Sequence, residues 1–485
     1  MKEKHKKAII IILALLLVIS FRLPITPHEL GQDSYASHFR AESILEEGNA
    51  KWIVSPFSIF GLYNYSYPAG GLYLLAIVSS LININFEWTI FILSIIFGII
   101  GFFGAYLLAS QINNKFYFKL TTATFFSILP ISIKFTSWTY STRGLFIMLI
   151  PFFIWCLIKS YKNKKFMFFA ILIFLLLCTI HRMYSLILLL IFSFLLNIIM
   201  YKYINKPERK KIRLGLILFS FITALFYLLY IKAFWAYRYL PDVLRIGPRV
   251  ITDLIALTYI LFARLGIILP MAFLGIFLIY FYRNKKIDYK LNFLVITFLV
   301  FIPFLRNSMY FYQCISVIFV ILSIVALDII IEKYKTHSKL IIACFYIIII
   351  MFSMFTIYVR INGSNYMKTS LYETAEYINQ DISSYEAIGG VDVRKIRTVL
   401  TSPTIDKLGA DYYIVDRIDL ETEKELKDFP TTPSELASFI KYPFKEIKII
   451  ESSGENIFDV EFNLNNIEED QNKIYANDDY MVIKK

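Results

Sequence analysis

The chain has 485 residues, of which 57% are hydrophobic and 17% aromatic, with a mean hydropathy of +0.59 and a formal net charge of +13. A water-soluble domain has no use for that much apolar surface, so the composition is that of an integral membrane protein. Residues 361–485 carry 14 Lys+Arg and 24 Asp+Glu, which leaves 36 and 13 for residues 1–360. That reversal of sign marks a boundary near Arg360, with a basic membrane body (1–360) followed by an acidic soluble domain (361–485).

Nucleic acid is not an expected partner, because the basic residues lie in short clusters between apolar runs, where cytoplasm-facing loops carry them. Cys156, Cys178, Cys314 and Cys344 all fall inside apolar segments and read as small core residues. They offer neither a disulfide framework nor a CxxC metal site.

The chain begins MKEKHKK, followed by an apolar run from Ala8 to Phe21. Arg22-Leu23-Pro24 makes a poor cleavage site for a signal peptide, so the run reads as an uncleaved anchor with its basic end in the cytoplasm. Residues 22–86 then form a large first external loop.

Within that loop, GQDSYASHFRAESILEEGN (31–49) has the pattern of a helix with Asp33 or Ser34 as N-cap, Ile44 and Leu45 among its apolar positions and Gly48 as its stop. Asp33 serves as a plain cap in one reading. In the other it is a general base held in fixed geometry by backbone N–H groups. His38 and Arg40 belong to the same helix, either as ligands of a phosphate or as parts of a solvated face. Further on, YNYSYPAGG (63–71) brings Tyr63, Tyr65 and Tyr67 together, as an aromatic belt at the membrane boundary or as a wall around a sugar.

Crossing the hydrocarbon takes about 20 apolar residues. Such runs occur at 8–24, 87–110, 116–135, 143–160, 165–180, 183–201, 212–234, 253–282, 290–306, 308–331 and 338–360, which makes eleven spans and places the C-terminal domain outside. The apolar stretch 69–84 would make a twelfth. If it crossed, NNKFYFK (113–119), KSYKNKK (159–165), KYINKPERKKIR (202–213), RNKK (283–286) and EKYKTHSK (332–339) would all face outward. The excess of Lys and Arg in cytoplasmic loops argues against this, so the stretch reads as a helix lying in the outer leaflet.

The outer loops hold several arginines suited to bidentate recognition of a phosphate: Arg143, Arg182 beside His181, Arg238, Arg245 and Arg249. Arg264 and Arg306 lie within or near spans, where ionisable groups are costly and point to function. Arg245, Arg249, Arg306, Arg143 and Arg182 are the expected phosphate ligands.

The form D-S-Y-x-x-H-x-R-x-x-x-I-L-E-x-G from Asp33 to Gly48, followed by Tyr67-Pro-x-Gly-Gly, resembles polytopic glycosyltransferases of the GT-C fold. The likeness covers roughly residues 1–200 and is greatest to prokaryotic relatives of the oligosaccharyltransferase catalytic subunit and to the polyprenyl-phosphate-sugar-dependent mannosyl and arabinosyl transferases. It implies a sugar donor carried on a polyprenyl phosphate or diphosphate and a first-loop acid, here Asp33, that activates the acceptor or coordinates a metal.

The sequence departs from the oligosaccharyltransferases in two places. Its second outer loop, FTSWTYSTRG (135–144), has no carboxylate, and no Trp-Trp-Asp-Tyr-Gly motif follows Arg360. A divalent cation wants several oxygen ligands, so the reading that follows needs no metal or other cofactor.

In the tail, 369–382 has helical periodicity, YYIVD (412–416) and KEIKIIES (445–452) read as strands, and SGEN (453–456) as a turn, giving a small α/β domain. The expectation is thus an all-α polytopic membrane protein of the plasma membrane with a C-terminal extracytoplasmic α/β domain. It would transfer a sugar from a polyprenyl-phosphate carrier, among membrane lipids, to a protein, lipid or glycan acceptor, with Asp33 as base. The alternatives are a flippase or transporter, or a polymerase or ligase, of lipid-linked saccharides. A transporter usually shows two similar halves, and this sequence contains no internal repeat.

Overall fold

The structure, a computed structural model, describes residues 3–47, 68–181, 183–204, 261–281, 288–301, 309–362, 388–390, 412–416, 473–476 and 480–484. The chain forms two units, one of Met1–Leu23 with Ser43–Ile357 and the other of Pro24–Glu42 with Tyr358–Lys485.

The helices are α1 (Glu3–Ser20), α2 (Gln32–Glu47), α3 (Gly70–Ile82), α4 (Phe86–Ile112), α5 (Phe116–Ile128), α6 (Pro130–Lys134), α7 (Thr142–Ser160), α8 (Lys165–Ile180), α9 (Tyr184–Ile204), α10 (Ile268–Phe281), α11 (Tyr289–Phe301), α12 (Met309–Cys314), α13 (Ser316–Lys333) and α14 (Ser338–Asn362). Among the described residues four helical stretches are long and apolar enough to cross a membrane: Phe86–Ile112, Thr142–Ser160, Tyr184–Tyr201 and Lys335–Ile361. Shorter apolar helices run from Gly70, Lys165, Ile268 and Tyr289.

The run 116–135, which reads as one span, is broken in two by Pro130. Proline has no N–H to give and pushes the residue before it out of helical geometry; Leu129 accordingly has φ −57° and ψ 140°. The carbonyls freed at the break have no water to turn to inside a membrane and must be satisfied by protein. Ser353 Oγ of α14 donates to Ile128 O, and Arg22 Nη2 donates to Ser127 O at 2.9 Å and to Thr136 Oγ1 at 2.9 Å.

Arg22 is fully buried. Its Nη1 donates to Val18 O at 2.7 Å, so one guanidinium joins the C-terminal turns of α1 and α5, whose negative dipole ends favour a cation. A side chain on Gly98 of α4 would sit 2.4 Å from Arg22 Nε, so a larger residue there would displace the guanidinium.

One end of the bundle gathers the flanks of the basic loops. Lys7 lies 5.8 Å above the Phe116 ring. Lys115 Nζ reaches Asp328 at 2.8 Å and Glu332 at 2.6 Å, and Asn113 donates to Asp328 at 2.9 Å. Lys290 Nζ donates to Gln111 O at 2.7 Å and Tyr289 Oη to Ile158 O at 2.7 Å, while the Tyr161 and Tyr201 rings lie 4.4 and 5.8 Å from that of Tyr289.

Helix α3 lies at the other end. At about 1.5 Å per residue its 13 residues cover about 20 Å, short of the ~30 Å of hydrocarbon. Its first turn is pressed against the ends of α7 and α8 that point away from the basic loops: a Cβ on Gly70 would lie 2.8 Å from Thr179 O, and one on Gly71 2.5 Å from Thr142 Cγ2. Its last turn meets the start of α4, where Ser79 Oγ and Thr89 Oγ1 both donate to Ile84 O, at 2.7 and 3.4 Å. Both ends of α3 therefore sit at the same end of the bundle.

In the second unit, β1 (Ile388–Gly390), β2 (Tyr412–Asp416), β3 (Lys473–Ala476) and β4 (Tyr480–Lys484) form a sheet of order β1-β2-β4-β3. β1 and β2 are parallel and the other pairs antiparallel. The YYIVD stretch is β2; the expected helix at 369–382 and strand at 445–452 lie outside the described residues.

Candidate functional site

In the second unit, helix α2 begins at Gln32, one residue before the expected cap. Gly31 takes the turn instead, with φ +99°, a value that favours glycine. Its carbonyl accepts from the Ser34 and Tyr35 amides at 2.8 and 3.2 Å. Asp33 falls in the first turn, where the helix dipole favours a carboxylate, and it is exposed.

The underside of those first turns is held by a residue that sequence reasoning passed over. Glu29, only 1% exposed, accepts a hydrogen bond from Ser34 Oγ on one carboxylate oxygen and contacts His38 Nδ1 at 2.6 Å with the other. Its backbone carbonyl accepts from Tyr35 Oη at 2.6 Å. The neighbouring Leu30 carbonyl accepts a longer bond, 3.4 Å, from Arg360 Nη2. One ring nitrogen of His38 is therefore engaged by Glu29, and Arg40 is half-buried on the same helix.

In the first unit, the loop before α7 is buried along its length. Ser137 Oγ donates to Phe21 O at 2.6 Å, Ser94 Oγ to Thr139 O at 3.1 Å, and Tyr140 Oη to Gly71 O. Trp138 has φ +48°, a left-handed conformation that costs a bulky residue on the order of 1–3 kcal/mol. Its ring is gripped edge-on by Trp88 and Phe91, at 6.2 and 5.9 Å. Gly144 closes the loop: a Cβ there would lie 2.2 Å from Phe135 O.

This rigid loop presents Arg143 on the first turn of α7. The guanidinium carbon is 4.8 Å from the centroid of Phe135 and 4.8 Å from that of Tyr310 in α12, so the cation is clamped between two rings. In the same unit Arg264 lies in the helical turn just before Gly266, and buried Tyr312 lies on α12 two residues from Tyr310. His181, the C-cap of α8, is buried, accepts the Met183 amide on Nδ1 at 3.1 Å and has its ring 6.1 Å from Tyr310.

A planar cation held against two aromatic faces suits a phosphate, which takes bidentate hydrogen bonds, and the aromatic faces restrict its rotation. Of the expected site residues, the structure thus places Asp33, His38 and Arg40 on α2 and Arg143 in the aromatic clamp. Tyr63, Tyr65, Tyr67, Arg182, Arg245, Arg249 and Arg306 lie outside the described residues. Tyr310 had no sequence signal, since it lies more than 160 positions beyond the arginine it meets. Arg264 was visible as a charge in an apolar run. Among the described residues no group of three or more His, Cys, Asp or Glu is placed to hold a metal ion.

The sequence matches no protein-family model and no curated protein. Solved structures do resemble it. The Archaeoglobus fulgidus oligosaccharyltransferase in complex with Zn and sulfate is 13% identical, with a TM-score of 0.60 over 86% of this chain and 68% of that one. The oligosaccharyltransferase AglB of the same organism, in complex with an inhibitory peptide and a dolichol phosphate, is 13% identical with a TM-score of 0.56 over 86% and 70%. ArnT from Cupriavidus metallidurans in the apo state is 11% identical with a TM-score of 0.50 over 89% and 97%. At such identities the likeness is one of architecture: this chain is built on the polytopic membrane fold of the GT-C glycosyltransferases.

Proposed function

We propose that the protein is an inverting membrane glycosyltransferase. It moves a sugar from a polyprenyl (dolichyl or undecaprenyl) phosphate carrier to a protein, lipid or glycan acceptor on the extracytoplasmic face of the plasma membrane. The observation that carries this reading is the GT-C fold with Arg143 clamped between Phe135 and Tyr310 at the end of the bundle away from the basic loops.

In this mechanism Asp33 takes the proton of an acceptor hydroxyl, and the oxygen attacks the anomeric carbon on the face opposite the phosphate. The bond from that carbon to the phosphate oxygen breaks, and the polyprenyl phosphate leaves with the electron pair. Negative charge grows on the departing phosphate, where pre-oriented guanidinium groups stabilise it most. Arg143 and Arg264 fill that role, together with Arg182, Arg245, Arg249 and Arg306; His38, Arg40, Tyr63, Tyr65 and Tyr67 flank the sugar and acceptor. The transfer is metal-independent, and the acidic second unit contacts the acceptor.

The test is transfer by the purified protein in liposomes from donors extracted from its own cells. Removing a general base costs on the order of 100- to 10,000-fold, so Asp33→Asn is expected to lower transfer by at least about 100-fold. Undiminished transfer by Asp33→Asn would take the aspartate out of the chemistry.

A further inference from the structure

Glu29 lies in no recognised motif, yet it collects three groups from the first two turns of α2. Its carboxylate meets the Ser34 hydroxyl and His38 Nδ1, and its carbonyl takes the Tyr35 hydroxyl. Ser34 and His38 are four residues apart and stand one above the other on the helix, while Asp33 and Arg40, seven apart, share the adjacent stripe. The carboxylate therefore grips one stripe and fixes the rotation of the other. Glu29 is 1% exposed, whereas Asp33 is exposed. The first belongs to the support and the second to the presented surface.

A buried carboxylate is costly unless hydrogen-bonded, and this one has both oxygens engaged. Because a carboxylate only accepts, the hydrogen in the 2.6 Å contact belongs to Nδ1 of His38, which sets the tautomer of the ring.

We infer that Glu29 is a positioning residue. Through His38, Ser34 and Tyr35 it latches the start of α2 and holds Asp33 in the orientation that accepts the acceptor's proton. This inference rests on the proposed glycosyl transfer for its functional half; the latch itself does not depend on it.

A misplacement of about 1 Å can cost on the order of 100-fold in rate without loss of binding. Glu29→Ala is accordingly expected to lower kcat by about 100-fold, with the KM for extracted lipid-linked donor within about twofold. Glu29→Gln keeps an oxygen for the Nδ1–H and is expected to recover most of the rate. Glu29→Ala combined with Ser34→Ala is expected to be no slower than Glu29→Ala alone, because both break one latch. Full activity of Glu29→Ala, or losses that multiply in the double variant, would overturn the positioning role.

The second arm needs no activity. NMR of the full chain labelled with 15N at its five histidines is expected to show an imidazole protonated at Nδ1 that vanishes in His38→Gln and shifts in Glu29→Ala. Failure to find that tautomer overturns the latch. Finding it in a protein that transfers no sugar overturns instead the function proposed above.

Discussion

At the scale of single residues, the site depends on the difference between a flat cation and a round one. Arg143 lies 4.8 Å from two ring faces, and its planar guanidinium can stack on them while its edge keeps a fork of N–H groups for a phosphate; an ammonium has neither the plane nor the fork. A desolvated cation–π contact is worth about 2 kcal/mol. Arg143→Lys, which keeps the charge but loses the double stacking, is therefore expected to weaken donor binding by about tenfold, and Arg143→Ala by more. Titration with undecaprenyl phosphate, read as inhibition of transfer, measures both. Lys159 supplies the control: it also lies 4.7 Å from two rings, Trp155 and Phe166, but at the basic end of the bundle. Lys159→Ala is expected to leave donor binding unchanged, and equal loss in the two variants would mean that the cation–aromatic contacts serve only folding.

At the scale of elements, the break between α5 and α6 shows how a polar group becomes part of the bundle's frame. Proline frees two carbonyls, and a serine from α14 and an arginine from the end of α1 cover them. Removing a partner from a buried carbonyl costs about 1–3 kcal/mol, and more where the donor is charged. Ser353→Ala is expected to destabilise by about 1–2 kcal/mol, since Ile128 O loses its donor. Arg22→Met, which strips donors from Val18 O, Ser127 O and Thr136 Oγ1 together, is expected to cost more than Ser353→Ala. Thermal unfolding in detergent ranks the two, and the reverse order would show that Arg22 is a tolerated burden. The break itself is legible only in part: Pro130 is plain in the sequence, but apolar content over 116–135 gives no reason to split the run. Partners of the freed carbonyls lie more than 100 and more than 200 positions away, and no local rule reaches that far.

For the whole molecule, the sequence carries what depends on sums and short patterns: membrane class, the acidic tail and the Asp33 helix. It does not carry what depends on convergence. Arg143 was legible as a lone cation in a polar loop, but Tyr310 joins it only because α7 and α12 meet in space. Glu29 was hidden for a related reason, since its value lies in what it grips. The arrangement of charge also fixes a testable orientation. Lys7, Lys115, Lys290 and the Asp328–Glu332 pair all belong to one end of the bundle, and both ends of α3 belong to the other. Loops rich in Lys and Arg stay in the cytoplasm, so single cysteines at exposed Asn163 and Lys335 are expected to resist a membrane-impermeant maleimide on intact cells and to react once the cells are permeabilised. A cysteine at exposed Asn83, just past α3, is expected to react without permeabilisation. The four native cysteines are replaced beforehand, Cys344 above all because it is exposed. If α3 crossed the bilayer, every helix after it would invert and Asn163 would label on intact cells. That result would move the Arg143 clamp to the cytoplasmic side and, with it, the face of the proposed sugar transfer.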